Sequence, residues 1–510
     1  MSIELDPATQ AAPAPPRAGR KAWLGLAVLA MPTLLLSLDI SVLYLALPAL
    51  SADLGVTSTQ QLWISDIYSF MIAGFLVVMG SLGDRVGRRR LLLVGGAAFA
   101  ACSVLAAYAS SPEMLIVSRA LLGIAGATLM PSTMALIRTL FPDPAQMAVA
   151  LSIWFSCFMG GMTIGPLVGG VLLEHFWWGS AFLLGVPVML LLLVLGPSLL
   201  PEHRETTAPG RLDLVSAGLC VAAILPVIYG LKELARDGAG VGAVLSMAAG
   251  LALGVAFIRR QRRLADPLLD LRLFANRRFT VSLGAFLLTG VVMAGVSFAA
   301  AQYLQLVVGL SPLEAGLWLI PQNVGMVAAT LTAPRLLQRY QAADLLAGGL
   351  AVAGAGLLLL TQAGTDSLAL QVTAMTVAAA GIGVPMAVVT NLILAAAPPE
   401  RAGSAASLSE TAGEFGIALG IASLGSVTVA VYGGRIGELL PSGTPEPLAA
   451  AAHESLAATA TATASAGGAG AGVLEAAQVA FTSGFIVVSG IGGAVLLLVA
   501  VVARAGLRAR

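Results

Sequence analysis

The sequence predicts an all-α polytopic membrane protein with 14 transmembrane helices in a 6+2+6 arrangement. Three observations predict it. The chain of 510 residues is 58% hydrophobic and only 10% charged, and its mean hydropathy is +0.92. A water-exposed domain carries roughly 25% charged residues, so this composition leaves most of the surface to lipid. Apolar runs of about 20 residues, the length that crosses a bilayer as a helix, recur along the chain. Once they are threaded, all of the 27 Lys and Arg fall on one side except Arg119, Lys232, Arg236 and Arg435. Cytoplasmic loops carry that kind of excess, and one helix more or fewer would invert every later loop.

Residues 1–21, rich in Pro and Ala, read as a cytoplasmic tail. Arg17, Arg20 and Lys21 precede an apolar run from Trp23 to Leu47. That run is about twice as long as the 7–15 residues of a signal-peptide core, so it reads as a retained first span. Residues 22–200 form a six-helix bundle with spans at 23–47, 61–82, 91–110, 113–138, 146–174 and 178–200. Residues 201–278 are a linker plus two additional spans, 213–234 and 239–258. Residues 279–503 form a second six-helix bundle, with spans at 279–308, 312–334, 343–363, 367–396, 402–432 and 478–503. Inside it, segment 433–477 is rich in Ala, Gly, Thr and Ser and reads as a flexible extracytoplasmic loop. Residues 504–510 are a cytoplasmic tail, so both termini face the cytoplasm. Ala333-Pro334-Arg335-Leu-Leu-Gln-Arg339 echoes the first basic loop where a second half would place it, and repeated halves are how many transporters are built.

Ionisable side chains inside spans are costly and point to function. Five stand out: Asp39, Asp66, Arg119, Glu410 and Glu414. At 1.5 Å per residue, Asp39 lies ~24 Å from the inner side, and Asp66 and Arg119 lie ~8 and ~9 Å from the outer side. Two carboxylates and one guanidinium at one level fit a proton site, or a static ion pair that fixes packing. Glu410 and Glu414 are four apart and share one helix face. Either fits a proton or a cation.

Gly80-Ser-Leu-Gly-Asp84-Arg85-Val-Gly87-Arg88-Arg89-Arg90 joins two apolar runs. Gly80 permits close helix approach, and Asp84 is placed to pair at the inner mouth with Arg138. The cluster fits a conformational latch or a topology anchor. Gly161, Gly165, Pro166, Gly169 and Gly170 cluster in span five, where small residues allow backbone contact and the proline bends the helix. Tyr44, Trp154, Phe158 and Tyr303 offer ring faces to a lipophilic cation, or ordinary packing. No Gly-Lys-Ser/Thr, His-Glu-x-x-His or Gly-x-Ser-x-Gly occurs. The sequence therefore predicts no ATP loop of the Walker type, no catalytic residues, no metal site and no cofactor. Cys102, Cys157 and Cys220 lie in apolar runs without metal-like spacing.

The Gly80–Arg90 loop resembles the G-x-L-x-D-R-x-G-R-R signature of the major facilitator superfamily. Leu38-Asp39 through Ala46-Leu47-Pro48, Trp63-Ile-Ser-Asp66-Ile-Tyr68, the Arg119 segment and Gly161–Gly170 resemble signatures of its fourteen-span drug:proton antiporters. So do His175–Ser180, the segment from Tyr303, and Ser409-Glu410-Thr-Ala-Gly-Glu414-Phe-Gly. The resemblance implies the major facilitator fold and a pump like those for quaternary ammonium compounds, dyes and fluoroquinolones. It implies proton coupling at Asp39, Arg119 and Asp66, cation or proton binding at Glu410 and Glu414, and a cytoplasmic gate at Gly80, Asp84, Arg85, Gly87, Arg88, Arg89 and Arg138. Some relatives carry an acid in span ten that serves divalent cations. Leu317–Ala333 has none, with Asn323 in its place, which speaks against divalent cargo.

The expectation is a proton-coupled exporter of lipophilic cations in a bacterial inner membrane, not an enzyme. Its partners are protons, lipophilic cationic small molecules and the bilayer. It is expected to be monomeric and to bind no nucleic acid. Rival readings are an exporter of an endogenous lipid, siderophore or antibiotic, and a non-transporting membrane sensor.

Overall fold

The computed structural model describes residues 17–202, 213–237, 240–264, 267, 269, 271–396, 402–466 and 468–508. Its first half comprises α1 (Arg20–Leu54), α2 (Ser58–Val86), α3 (Arg88–Ala107), α4 (Pro112–Gly126), α5 (Leu129–Leu140), α6 (Pro144–His175), α7 (Ser180–Leu183) and α8 (Gly185–Leu199). Two further helices follow, α9 (Leu214–Asp237) and α10 (Val241–Gln261). The second half holds α11 (Arg277–Gln302), α12 (Pro312–Trp318), α13 (Ile320–Leu337), α14 (Ala342–Leu359), α15 (Leu368–Ala395), α16 (Ala402–Leu439), α17 (Glu446–Glu454), α18 (Leu456–Ala466) and α19 (Gly468–Arg508). A π turn, Tyr303–Val307, continues α11. The described residues contain no strand, as expected where lipid cannot satisfy backbone groups that a helix satisfies internally.

Twelve helical stretches are long and apolar enough to cross a membrane by length and composition. The expected spans 61–82 and 312–334 also fold as helices, α2 and α12–α13, but are not among those twelve. The α12–α13 stretch is broken at Leu319.

Local chemistry sets the helix ends. The Thr57 hydroxyl accepts from the Gln60 amide while the Gln60 side chain accepts from the Thr57 amide, closing a capping box at α2. Ser311 and Glu314 do the same at α12. α2 ends at Gly87, whose φ of 109° turns the chain into α3 in a region that L side chains rarely enter.

Each half has its own core. One is built around Leu29, Leu122, Trp154 and Met189, the other around Phe279, Tyr303, Leu350 and Phe485. α9 packs against both α2 and α16, burying Phe70, Ile228, Ala418 and Ala422 together. α9 and α10 approach closely at their glycines: a Cβ on Gly250 would stand 2.6 Å from the Ala223 carbonyl. At their ends, Arg260 Nη2 meets Asp213 Oδ1 at 2.8 Å. Burial pushes the Asp213 carboxyl up, and hydrogen bonds from Arg260 and Ser216 outweigh it, holding the group below its ordinary range.

Segment 433–477 is helical rather than an irregular loop over its described residues. α16 runs on to Leu439, and α17 and α18 follow. Its alanines are strong helix formers. Tertiary bonds hold it: Tyr432 Oη donates to the Ala452 carbonyl at 2.7 Å, and Ser58 Oγ donates to the Glu454 carbonyl at 2.5 Å.

The glycine run of α6 lies along α1. A Cβ on Gly161 would stand 2.5 Å from the Leu34 carbonyl oxygen, and one on Gly169 would stand 3.1 Å from the Val42 methyls. Gly170 turns to the other half, where a Cβ would meet Leu313 Cα at 2.7 Å. Gly161→Ala is therefore expected to force α1 and α6 apart and destabilise the protein by about 1–3 kcal/mol. Thermal melting in detergent checks this, and an unchanged melting temperature would mean the two backbones do not need that contact.

Candidate functional site: buried charges between the two halves

Arg119 on α4 reaches across the first half. Its Nη1 donates to Asp39 Oδ2 on α1 at 2.6 Å, with the side chains 1% and 10% exposed. Its Nε donates to the Ile64 carbonyl of α2 at 3.3 Å, and its guanidinium carbon lies 4.5 Å from the Tyr68 ring centroid. One cation thus ties three helices. A buried pair of this kind strongly penalises loss of either partner.

Asp66 does not join that pair. It turns to α9, where Lys232 Nζ stands 2.8 Å from Asp66 Oδ2 with both side chains essentially unexposed. Lys232 Nζ also lies 3.7 Å from the Trp63 ring centroid. So the two carboxylates at one level have separate cations. The sequence pattern does not reveal Lys232 as a buried partner. Its one signal is that it is one of only four basic residues that the threading does not place on the shared side.

Glu410 and Glu414 project from α16 toward the first half. Glu414 lines a cavity with Leu36, Tyr68, Ile72, Leu76, Met130 and Phe158, and its Oε2 is buried with no hydrogen-bond partner. Ser69 of α2 lies beside Glu414, and Arg138 lies within electrostatic reach of Glu410. This cavity stands between the Gly80–Arg90 junction and the helix ends opposite it. There the halves meet: Gln61 Nε2 donates to Gln302 Oε1 at 3.2 Å, and Tyr44 packs edge-on against Phe298 at 6.2 Å between centroids. Asn323 of α13 bonds the Met162 carbonyl of α6 at 3.1 Å, another link between halves.

The aromatic candidates separate. Phe158 lines the cavity. Trp154 is buried in the first core beside Phe155, with centroids 6.1 Å apart. Tyr303 belongs to the second core, stacked on Phe485 at 5.1 Å and donating its hydroxyl hydrogen to the Gly364 carbonyl. Tyr303 is not among the residues lining the cavity.

At the basic junction, Arg89 Nη1 donates to the carbonyls of Pro197 and Leu200 at 3.2 and 3.1 Å, and its Nε lies 3.3 Å from Glu202. Glu202, a partner the sequence leaves unmarked, also draws Arg90 at 3.7 Å. Gly83 lies under Arg88, since a Cβ there would stand 2.9 Å from Arg88 Cδ. Gly80 faces Pro131 at ordinary contact distance. Arg85 sits in the last turn of α2, and Arg138 in that of α5. The Asp84 side chain, expected opposite Arg138, lies outside the described residues. Gly165 and Pro166 face α1 and α12: a Cβ on Gly165 would stand 3.0 Å from Ser41 Cβ, and one on Gly316 would stand 2.8 Å from the Pro166 carbonyl carbon. Among the described residues no group of His, Cys, Asp and Glu could hold a metal ion.

Two helix bundles that meet across buried charges define a multi-pass membrane transporter. Residues 29–421 match the Major Facilitator Superfamily, and the chain belongs to that family. It is 42% identical over 498 residues to the multidrug efflux pump LfrA of Mycolicibacterium smegmatis, covering 97% of this chain and 98% of that protein. It is 34% identical over 495 residues to the methyl viologen resistance protein SmvA of Salmonella typhimurium, covering 94% and 97%. In fold it is similar to an inward-facing, unoccupied bacterial homolog of the human lysosomal transporter Spinster, with a TM-score of 0.67 at 17% identity, covering 95% and 98%. These relatives are transporters, not enzymes.

Proposed function

We propose that this protein is a proton-coupled multidrug efflux antiporter that exports lipophilic cations across the bacterial inner membrane. Quaternary ammonium compounds, ethidium and acriflavine are its cargo class. The observation that carries this reading is Glu414, whose unpartnered carboxylate oxygen is buried beside a cavity lined by Tyr68 and Phe158. A carboxylate with ring faces nearby suits a lipophilic cation. The names of LfrA and SmvA, multidrug efflux and methyl viologen resistance, support the same cargo.

In this reading the chain makes 14 spans as 6+2+6, with both termini in the cytoplasm, counting α2 and α12–α13 with the twelve apolar stretches. The Gly80–Arg90 junction then faces the cytoplasm, and the seal at Gln61–Gln302 and Tyr44–Phe298 closes the outer side. Asp39 takes a proton from outside, releases Arg119 and returns the proton to the cytoplasm as the halves rock. Its loss then favours cation binding at Glu414. Glu410, nearer the mouth, guides the cargo toward it. The proton gradient is the energy source, each charge moved being worth about 2.3 kcal/mol per 100 mV.

Inside-out vesicles with an acid interior test the reading. Ethidium, and separately a quaternary ammonium, is expected to release protons from vesicles that carry the protein and not from empty ones. Folded protein that releases none with either compound would overturn it.

A further inference from the structure

One of the two additional helices carries a buried charge to α2. Lys232 sits on α9, and its ammonium is buried between α2 and α16 against Asp66 and the face of Trp63. We propose that Lys232 is a tethered occupant of a cation subsite formed by Asp66 and Trp63, which a lipophilic ammonium cargo takes over when the lysine withdraws.

Three features of the geometry support this. First, a carboxylate and an aromatic face together are what recognises an ammonium cargo, and here the chain's own ammonium fills that place. Second, the pair is poorly satisfied. The ions approach to 2.8 Å, and apart from each other and the Asp66 backbone neither charged group has a hydrogen-bond partner among the described residues. A structural ion pair gains from added hydrogen bonds that complete each ion's needs, and this one has few. Arg119 does not compete for Asp66, since it is committed to Asp39 and the Ile64 carbonyl. Third, the lysine has somewhere to go. It lies five residues before Asp237, the end of α9, so its backbone is about 8 Å below that end. A lysine stem of that reach can carry its ammonium to the headgroup level.

The inference rests on the lipophilic-cation reading, and the test separates the two. Ethidium binding to nanodisc-held protein is followed by fluorescence. Lys232→Met, which empties the subsite, is expected to tighten binding by about tenfold. Adding Asp66→Asn to Lys232→Met should remove the gain, and this neutral double variant also guards against misfolding of the single one. A second readout uses the fact that Lys21 and Lys232 are the chain's only lysines. In a Lys21→Arg protein, an amine-reactive reagent should leave Lys232 unlabelled, as found by peptide mass, until ethidium is added. A merely structural lysine would stay protected throughout. If ethidium binds but Lys232→Met does not tighten it and Lys232 stays protected, the inference falls alone. If ethidium binds none of the proteins, both readings fall.

Discussion

Asp39→Asn is expected to abolish cargo-driven proton release and to destabilise the protein. The substitution removes the one anion that lies 2.6 Å from a guanidinium 1% exposed. The Arg119 guanidinium is left buried beside a neutral amide. Breaking a buried pair in this way costs about 3–5 kcal/mol. The Asn oxygen still accepts one hydrogen bond, and the guanidinium keeps its contacts to the Ile64 carbonyl and the Tyr68 ring, which places the loss at the low end. The functional loss is larger. An amide cannot accept and release a proton, so ethidium should bind the variant yet release no protons in the acid-inside vesicle assay. Melting curves and vesicle fluorescence together check the prediction. A variant that folds and still exports ethidium uphill would remove Asp39 from the coupling path.

That this residue is a buried charge was legible in the sequence, because an acid in an apolar run must find a partner or a task. The same signal found Arg119, Glu410 and Glu414. Spacing also delivered the helices: the run 279–308 became α11 with its π turn, and 343–363 became α14 with the short 3-10 turn Leu360–Gln362. What the sequence hid is direction around each helix axis. Helix rise puts Asp39 and Asp66 at a similar expected height, but only the fold turns one to Arg119 and the other to Lys232. Lys232 itself lies near the end of an apolar run, where a lysine ordinarily reaches water. Tyr303 shows the converse. Its aromatic ring drew it into the binding set, while packing sends that ring into the second core against Phe485. Segment 433–477 lacks a long apolar run, so hydropathy passes over helices that alanine propensity and the Tyr432–Ala452 bond sustain.

Glu414→Gln is the variant that separates a binding acid from a packing one. A structural carboxylate would be held by donors, and its amide would weaken the fold. The Ser69 side chain bonds Glu414, but Oε2 is buried without a partner, so the native acid carries a desolvation penalty. Gln fills the same volume without an ionisable group. The melting temperature of the variant is therefore expected to stay level or rise. Binding should move the other way, because a cation in the cavity beside Tyr68 and Phe158 loses its counter-charge. A charged hydrogen-bond partner is worth about 1.5–3 kcal/mol, which weakens ethidium binding by about tenfold to a hundredfold. Glu410→Gln should weaken it less, since Arg138 already lies within electrostatic reach of that acid. A cargo without charge should bind both variants as it binds the native protein. Equilibrium titrations with ethidium and a neutral dye, run beside thermal melts, read all of these at once. A stable Glu414→Gln protein with native affinity for ethidium would take the acid out of cargo recognition and leave it a role in proton handling alone.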